Sequence, residues 1–227
     1  MIEHVYRRAM AARVDGVIVA TDTERVAEAV RAFGGTAWMT RGDHQTGTDR
    51  LAEVAAQLPC RIIVNVQGDE PLLDPASIDA AVEPLLRDPR AEMSTLARPL
   101  LDAAEFSNPH IVKVVTDLAG RALYFSRAPV PCSRDALHLA SSDARRGTQS
   151  PPALAHIGLY AYRRDVLLRL AALPPSPLEQ IERLEQLRAL EHGISIHVAV
   201  TSHGSAGVDT PEDLERVRQH LLPAAPA

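Results

Sequence analysis

The stretch Asn65-Val66-Gln67-Gly68-Asp69-Glu70-Pro71 follows the apolar run Ile62-Ile63-Val64, and it places two carboxylates just beyond a predicted strand. A run without polar alternation is typical of a strand that is covered on both faces. In an open α/β sheet, ligands bind at the carboxyl ends of the strands, where we expect Asp69. A carboxylate there suits a hard cation such as Mg²⁺ with a nucleotide phosphate. The alternative is that Asp69 and Glu70 only solvate a turn before Pro71.

Size and composition fit a folded α/β protein. The chain has 227 residues, of which 46% are hydrophobic, so it can bury a substantial core. We predict a single domain over residues 1–222, with a smaller mixed-sheet extension at 90–175 and a disordered tail at 223–227.

Charge and cysteine content exclude several classes of protein. The net charge is −5 and no basic run is interleaved with aromatics, which argues against a nucleic-acid partner. Cys60 and Cys132 form neither a CxxC motif nor a disulfide framework, so a reduced, cytoplasmic setting is expected. No apolar run approaches the ~20 residues of a membrane span, and residues 1–4 do not open a secretory signal.

Hydrophobic periodicity predicts two kinds of organisation along the chain. The first part alternates helices and strands, as parallel βαβ units do: helix 2–14, strand 17–20, helix 21–33 closed by Gly34-Gly35, strand 37–39, a helix through Leu51 and Val54, strand 62–66 and helix 75–86. The later part predicts a partly antiparallel extension: strands 93–99, 111–116, 122–126, 155–162 and 196–200, a short helix at 103–106 and helices 165–173 and 211–222.

Two segments of the later part need separate interpretation. Ser176-Pro177 predicts the start of one helix in which leucine or isoleucine recurs at every third residue from Leu178 to Leu190. Residues 132–153 are rich in Ser, Arg, Pro and Gly, which predicts a long loop that is either functional or unstructured.

The loop from Thr40 to Arg50 is a candidate nucleotide site. It combines two arginines, permissive glycines and several hydroxyls before a helix, a set that can hold phosphates through backbone N–H groups and guanidinium contacts. The alternative is that Thr46 or Thr48 only caps the helix. Asp43 and His44 resemble an acid–base pair, although a solvated surface histidine is the simpler interpretation.

A second acidic segment, Gly207 to Leu214, is explained mostly by helix capping. Thr210 is the predicted N-cap, Pro211 the first helical residue and Asp213 the capping partner. Asp209 precedes the cap, and together with Asp69 it would form a two-carboxylate Mg²⁺ site on a triphosphate.

A set of polar residues lies next to apolar strands or on the leucine-bearing helix, and it is able to bind a hydroxylated, carboxylated substrate. For the helix members the alternative is a solvated face with neighbouring charges, and for the histidine a satisfied core position. The set comprises Arg127, His156, Tyr160, Glu185 and Gln186.

Taken in order, these segments resemble the 3-deoxy-manno-octulosonate cytidylyltransferase family over nearly the whole chain. The resemblance is carried by VIVATD at 17–22, MTRGDHQTGTDRLAE at 39–53, VNVQGDEP at 64–71, NPHIVKVV at 108–115, ALYFSRAPVP at 122–131, HIGLYAYR at 156–163, SPLEQIERLEQLRALEHG at 176–193 and GVDTPEDLERV at 207–217.

The resemblance implies a fold, a reaction and roles for residues. The fold would be that of the nucleotide-diphospho-sugar transferases, a Rossmann-like mixed sheet flanked by helices. The reaction would be Mg²⁺-dependent transfer of CMP from CTP to 3-deoxy-D-manno-octulosonate (Kdo) for lipopolysaccharide, by a homodimer. The implied metal ligands are Asp69 and Asp209. The implied sugar contacts are Gln67, Arg127, His156, Tyr160, Glu185 and Gln186, and the implied nucleotide contacts are Arg41, Thr48 and Arg50.

The chain also departs from the family pattern. The family begins with a strand and a loop resembling PARxxSxRLPGKPL, whereas this chain starts on the following helix, so its first strand and phosphate loop are expected to be missing. Smaller departures are Cys132 where Trp is usual, Ala155 where a basic residue is frequent, and a longer loop at 141–152. The alternatives are another CMP-sugar synthetase, such as one acting on an acylneuraminate, and a non-catalytic remnant.

Overall fold

The computed structural model describes residues 1–132, 153–202, 207–208 and 210–221. The helices are α1 (Ile2–Met10), α2 (Glu24–Ala32), α3 (Gly47–Ala55), α4 (Pro75–Arg87), α5 (Ala103–Ser107), α6 (Arg164–Ala171), α7 (Pro177–Glu182), α8 (Gln186–Glu191) and α9 (Pro211–Leu221). The strands are β1 (Val19–Thr21), β2 (Ala37–Met39), β3 (Ile62–Asn65), β4 (Met93–Pro99), β5 (Lys113–Thr116), β6 (Ala122–Ser126), β7 (Leu154–Arg163) and β8 (Ile196–Val200).

These elements form two compact units. Unit 1 comprises residues 1–59 and 65–79 with the described part of 203–227, and unit 2 comprises residues 60–64 and 80–202. Within the described ranges, every helix is too short or too polar to span a bilayer. The predicted single domain over 1–222 stays a prediction, and the predicted tail at 223–227 lies outside the described residues.

Unit 1 contains the predicted parallel βαβ unit. β1 and β2 pair in parallel, with Val19 opposite Ala37, and α2 connects them while burying Ala27 and Val30 completely. Gly34 ends α2 with φ +81°, and the N–H of Gly35 donates to the Val30 carbonyl at 2.9 Å. This left-handed cap is what the Gly34-Gly35 pair predicted.

The predicted first helix is too long, because α1 ends at Met10. Beyond it the backbone N–H and the guanidinium of Arg13 bind the two carboxylate oxygens of Asp79, at 2.9 and 3.0 Å. Those bonds hold Arg13 in a turn and give its N–H a partner outside the helix.

Unit 2 contains a mixed six-stranded sheet, which confirms the predicted mixture of parallel and antiparallel strands, while the smaller extension at 90–175 stays a prediction. The strand order is β6-β5-β7-β4-β8, and β3 also pairs with β7. β4 runs antiparallel to β7 and parallel to β8, and β5 runs antiparallel to both β6 and β7. Buried side chains such as Leu96, Phe125, Leu159 and Leu167 form its core.

The pairing of β4 with β7 contains a β-bulge. Thr95 pairs with Tyr160 but Leu96 pairs with Ile157, so Gly158 and Leu159 have no partner residue on β4. A bulge turns ladder carbonyls away from their usual donors, and the hydroxyl of Thr95 takes over this role.

The predicted single helix from 177 onward is wrong, because it is two helices. α7 ends at Glu182, Arg183 adopts the left-handed conformation (φ 52°, ψ 51°), and α8 begins at Gln186. A strict period of three drifts around an α-helix of 3.6 residues per turn, so one straight helix could not bury all these apolar residues on one face. The break leaves Leu184 and Leu187 buried while Ile181 is exposed.

Candidate active site

Arg50 joins the carboxyl ends of the two parallel strands of unit 1. Its guanidinium donates to Thr40 Oγ1 at 2.5 Å and to Asp22 Oδ2 at 2.7 Å, and these residues directly follow β2 and β1. The hydrogen bond from Arg50 lowers the pKa of Asp22, so the ion pair stays charged near neutral pH. Arg50, which the sequence predicted as a nucleotide contact, therefore also stabilises the carboxyl ends of β1 and β2.

Glu53 fastens the loop between β2 and α3. Its carboxylate binds the ring of His44 through Nε2 and accepts from the backbone N–H of Arg41 at 3.2 Å. The hydrogen bond with His44 lowers the pKa of Glu53. The interpretation of His44 as a solvated residue is wrong, because its side chain is only 6% exposed, and its partner is Glu53 and not Asp43.

The capping alternative holds for one threonine of this loop. Thr46 is the N-cap of α3 and exchanges hydrogen bonds with Asp49, each at 3.2 Å. Thr48 lies inside the first turn and is 3% exposed, whereas the side chain of Arg41 is 69% exposed and lies 3.3 Å from Asp43. Capping thus accounts for Thr46 and leaves the predicted roles of Arg41 and Thr48 open.

Asp69 lies in the turn after β3, half-buried, and its carbonyl accepts from the N–H of Val208 at 2.9 Å. Gln67 in the same turn is exposed, and its carbonyl accepts from the N–H of Glu70 at 3.4 Å. Asp209 lies outside the described residues, so its predicted role as a metal ligand stays a prediction.

The donor chemistry of this turn fits Mg²⁺, which prefers one or two carboxylates completed by phosphate oxygens and water. Among the described residues, no group of three or more His, Cys, Asp or Glu side chains could hold a metal by itself. Thr210 and Asp213 cap α9 as predicted, with bonds of 3.0 and 3.1 Å.

Unit 2 brings its predicted sugar residues into one neighbourhood. The ring of His156 lies between those of Phe125 and Tyr160, with centroids at 5.0 and 5.4 Å. Its Nε2 lies 2.9 Å from Thr95 Oγ1. Burial lowers the pKa of His156 to about 3, so the ring is neutral at physiological pH.

Tyr160, Glu185 and Gln186 extend this neighbourhood. Burial raises the pKa of Tyr160, and electrostatic interactions with Tyr162 and Glu185 raise it further. Gln186 is 6% exposed, and its Nε2 has no hydrogen-bond partner among the described residues. A buried amide donor without a partner is costly unless a ligand accepts from it.

The Arg127 side chain forms hydrogen bonds with backbone carbonyls. Its guanidinium donates to the carbonyls of Pro109 at 3.1 Å and Glu182 at 2.9 Å, and it lies 3.5 Å from that of Arg183. These bonds hold the turn between α7 and α8, directly before Glu185. Arg127 is therefore part of the neighbourhood, as a support of the turn that carries two predicted sugar contacts.

Sequence reasoning missed two polar residues that hold this half of the site. Lys113 is completely buried and its Nζ donates to the carbonyls of Asn108, Ile111 and Arg127, at 2.9, 2.7 and 2.6 Å. Burial lowers its pKa, while the nearby Glu182 carboxylate opposes that shift. A lysine in the middle of the apolar run IVKVV was the signal available in the sequence.

Glu182, the last residue of α7, is the second residue. Its carboxylate accepts from Ser126 Oγ at 2.6 Å and from the N–H of Arg127 at 3.0 Å. Although burial opposes the shift, these hydrogen bonds lower the pKa of Glu182. It joins the end of β6 to the end of α7.

Comparison with known proteins gives close relatives over most of the chain. The family model described as cytidylyltransferase matches residues 1–196. The 3-deoxy-manno-octulosonate cytidylyltransferase of Syntrophotalea carbinolica is 57% identical over 222 residues, covering 97% of this chain and 88% of the relative. That of Geobacter sulfurreducens is 53% identical over the same shares.

Solved structures of other proteins also match most of this chain. A CMP:2-keto-3-deoxy-manno-octonic acid synthetase in complex with CTP is 44% identical, with a TM-score of 0.87, over 97% of this chain and 86% of that one. A 4-diphosphocytidyl-2C-methyl-D-erythritol synthase from Anaerococcus prevotii is 12% identical, with a TM-score of 0.59, over 97% and 85%, which shows a shared fold.

Proposed function

Because the chain belongs to the 3-deoxy-manno-octulosonate cytidylyltransferase family, we propose that it transfers CMP from CTP to Kdo and releases pyrophosphate. The observation that carries the choice of a sugar acid is the neighbourhood in unit 2. It offers a neutral imidazole, a phenol, a carboxylate and a buried amide with an unpartnered N–H, all suited to hydroxyl and carboxylate groups.

The nucleotide is assigned to unit 1. CTP is present in the related synthetase structure, and unit 1 of this chain holds the predicted nucleotide residues Arg41, Thr48 and Arg50 together with Asp69. Asp69 and Asp209 would hold Mg²⁺, and the backbone bond between Val208 and Asp69 supports this pairing. When bound, the metal would neutralise charge on the triphosphate.

The reaction follows from these assignments. The anomeric hydroxyl of Kdo attacks the α-phosphorus of CTP and gives up its proton to the solvent, the bond from that phosphorus to the bridging oxygen breaks, and pyrophosphate leaves with the electron pair of that bond. Residues of this chain contribute by holding both substrates and by neutralising charge, which are the main sources of catalysis in phosphoryl transfer. His156 remains neutral, so it acts as a hydrogen-bonding group and not as a cation.

The test is CTP-dependent pyrophosphate release by the 227-residue chain, with Kdo or an acylneuraminate as acceptor. Release with Kdo supports the proposal. Release with only the acylneuraminate assigns another sugar, and no release with either overturns the proposal.

A pair of variants on adjacent segments locates the sugar site. Gln186→Ala removes the buried amide and should raise the KM for Kdo about fivefold at an unchanged KM for CTP, since one hydrogen bond contributes about 1 kcal/mol. The matched control is Gln180→Ala, whose side chain is exposed on α7. Equal effects of Gln186→Ala on both substrates would contradict the assignment.

We also propose a homodimer, which rests on the family resemblance. Sedimentation at several protein concentrations tests it, because a monomer at every concentration would contradict it.

A further inference from the structure

We propose that Thr95 is a positioning residue that fixes the ring tautomer of His156, which leaves Nδ1 as the acceptor for a sugar hydroxyl. The inference rests on the proposed function for the identity of the ligand. The assignment of the tautomer depends only on contacts within the protein.

The neighbours of the Thr95 hydroxyl determine which hydrogen bonds it donates and which it accepts. Thr95 is completely buried at the bulge of β4, and its Oγ1 lies 2.9 Å from the Leu159 carbonyl and 3.2 Å from that of Ile157. A carbonyl only accepts, and a hydroxyl has one hydrogen. The hydrogen of Thr95 must therefore point at the bulge carbonyls.

It follows that Thr95 Oγ1 accepts the hydrogen bond in its third contact, which is with His156. His156 Nε2 lies 2.9 Å from Thr95 Oγ1, whose hydrogen is already used. A hydrogen bond at this distance needs a donor, so Nε2 must carry the proton and donate to the lone pair of Thr95. The neutral ring has one ring proton, so Nδ1 is bare and can only accept.

The bare nitrogen selects among ligand groups. Nδ1 has no hydrogen bond to the described residues, and His156 remains partly exposed. A bare nitrogen accepts from a hydroxyl but repels a carboxylate, which has no hydrogen to give. Kdo carries both groups, so Thr95 would determine which of them lies against His156.

The tautomer can be measured directly on the free protein. Long-range ¹H–¹⁵N correlation spectra separate protonated from bare ring nitrogens, and His156→Phe identifies the signal of His156 among the nine histidines. We expect protonated Nε2 and bare Nδ1 in the wild type. In Thr95→Val, which keeps the shape but removes the hydroxyl, we expect both tautomers.

Kinetics then connect the tautomer to the sugar. Thr95→Val should raise the KM for Kdo about fivefold to tenfold, the value of one hydrogen bond, with the KM for CTP unchanged. Thr95→Ser should return both the tautomer and the KM for Kdo to near wild type. The matched control is Ser94→Ala, which removes a buried hydroxyl bonded to the Ala81 carbonyl from the neighbouring position of β4. It should change neither the tautomer nor the KM for Kdo.

Several results would overturn the proposal. They are a wild-type signal with the proton on Nδ1, a Thr95→Val protein that keeps the single tautomer and the wild-type KM, or an equal loss in Ser94→Ala. If the wild type fails to use Kdo, the proposed function fails and the assignment of a sugar hydroxyl fails with it. The spectrum still decides whether Thr95 sets the tautomer.

Discussion

Burial of His156 predicts that the protein loses stability in mild acid. The pKa of this ring is lowered by burial from 6.5 to about 3. Below about pH 6.5 the unfolded chain binds a proton that the folded chain refuses, so stability is full above that pH and is lost as the pH falls toward 3. At about pH 5 the loss spans roughly 1.5 pKa units, or about 2 kcal/mol at 1.36 kcal/mol per unit.

The variant His156→Phe isolates this contribution. It removes the titrating group and keeps a ring between Phe125 and Tyr160. Urea unfolding near neutral pH and at about pH 5 should show the wild type losing about 2 kcal/mol more than the variant. Carboxylates with lowered pKa, such as Glu105 and Asp117, also destabilise the protein in acid, but they do so equally in both proteins.

The same urea-unfolding curves provide a control and show which result would contradict the prediction. Ser94→Ala also removes a buried polar group, but it leaves His156 in place and should lose stability in parallel with the wild type. If the wild type and His156→Phe lose the same free energy between the two pH values, the ring is not held neutral by burial.

Three further substitutions test other parts of the structure. Asp69→Asn should abolish most pyrophosphate release while leaving the melting temperature near that of the wild type, and near-normal turnover would rule out its metal role. Lys113→Met leaves buried carbonyls without a donor and should lower the free energy of unfolding by about 3 kcal/mol or more; a loss under about 1 kcal/mol in urea unfolding would contradict this. Glu53→Gln should loosen the loop at His44 and raise the KM for CTP severalfold at a constant KM for Kdo, and the exposed control Glu28→Gln should not.

Local chemistry accounts for what could be predicted from the sequence in unit 1. The glycine pair after α2 predicted its end, because a left-handed cap needs a residue without Cβ. The threonine before α9 likewise predicted its start. Such features depend on neighbours in the chain, so one sequence suffices to find them.

The break at Arg183 could not be predicted in the same way. Nothing about an arginine favours the left-handed conformation, which L-residues adopt at a cost of roughly 1–2 kcal/mol. The turn is held from outside by Arg127, which lies far away in the chain and bonds the carbonyls on both sides of the break. A long-range partner of this kind leaves no periodic signal.

The candidate site residues were predicted from the family resemblance and from residue type, whereas the residues that support them were not predicted. His156, Tyr160, Glu185 and Gln186 attract attention because polar groups in apolar surroundings are costly. Thr95 has the same character, but a threonine is ordinary in a strand. Only the bulge, which directs two carbonyls at its hydroxyl, gives it a special role.

Three cations in the family-like motifs bind the backbone of unit 2. Arg127 and Lys113 would each suggest an anion site, yet their hydrogen bonds go mainly to backbone carbonyls. Arg163, at the end of HIGLYAYR, does the same with the carbonyls of Ala91, Leu85 and Asp88, at 2.7, 2.9 and 3.0 Å.

This use of cations follows from the backbone of unit 2. Turns such as the one after α7 leave carbonyls without a donor, and a guanidinium or ammonium can satisfy several of them at once. A cation used in this way keeps its charge, because a carbonyl does not neutralise it as a carboxylate does. The Glu182 carboxylate, which accepts from the backbone N–H of Arg127, offsets part of the positive charge beside the turn that leads to Glu185 and Gln186. We therefore predict that Arg127 acts on Kdo binding mainly through the turn. Arg127→Ala should raise the KM for Kdo, and Arg127→Lys, which keeps the charge but loses the fork of donors, should recover it only in part; full recovery in Arg127→Lys would contradict this reasoning.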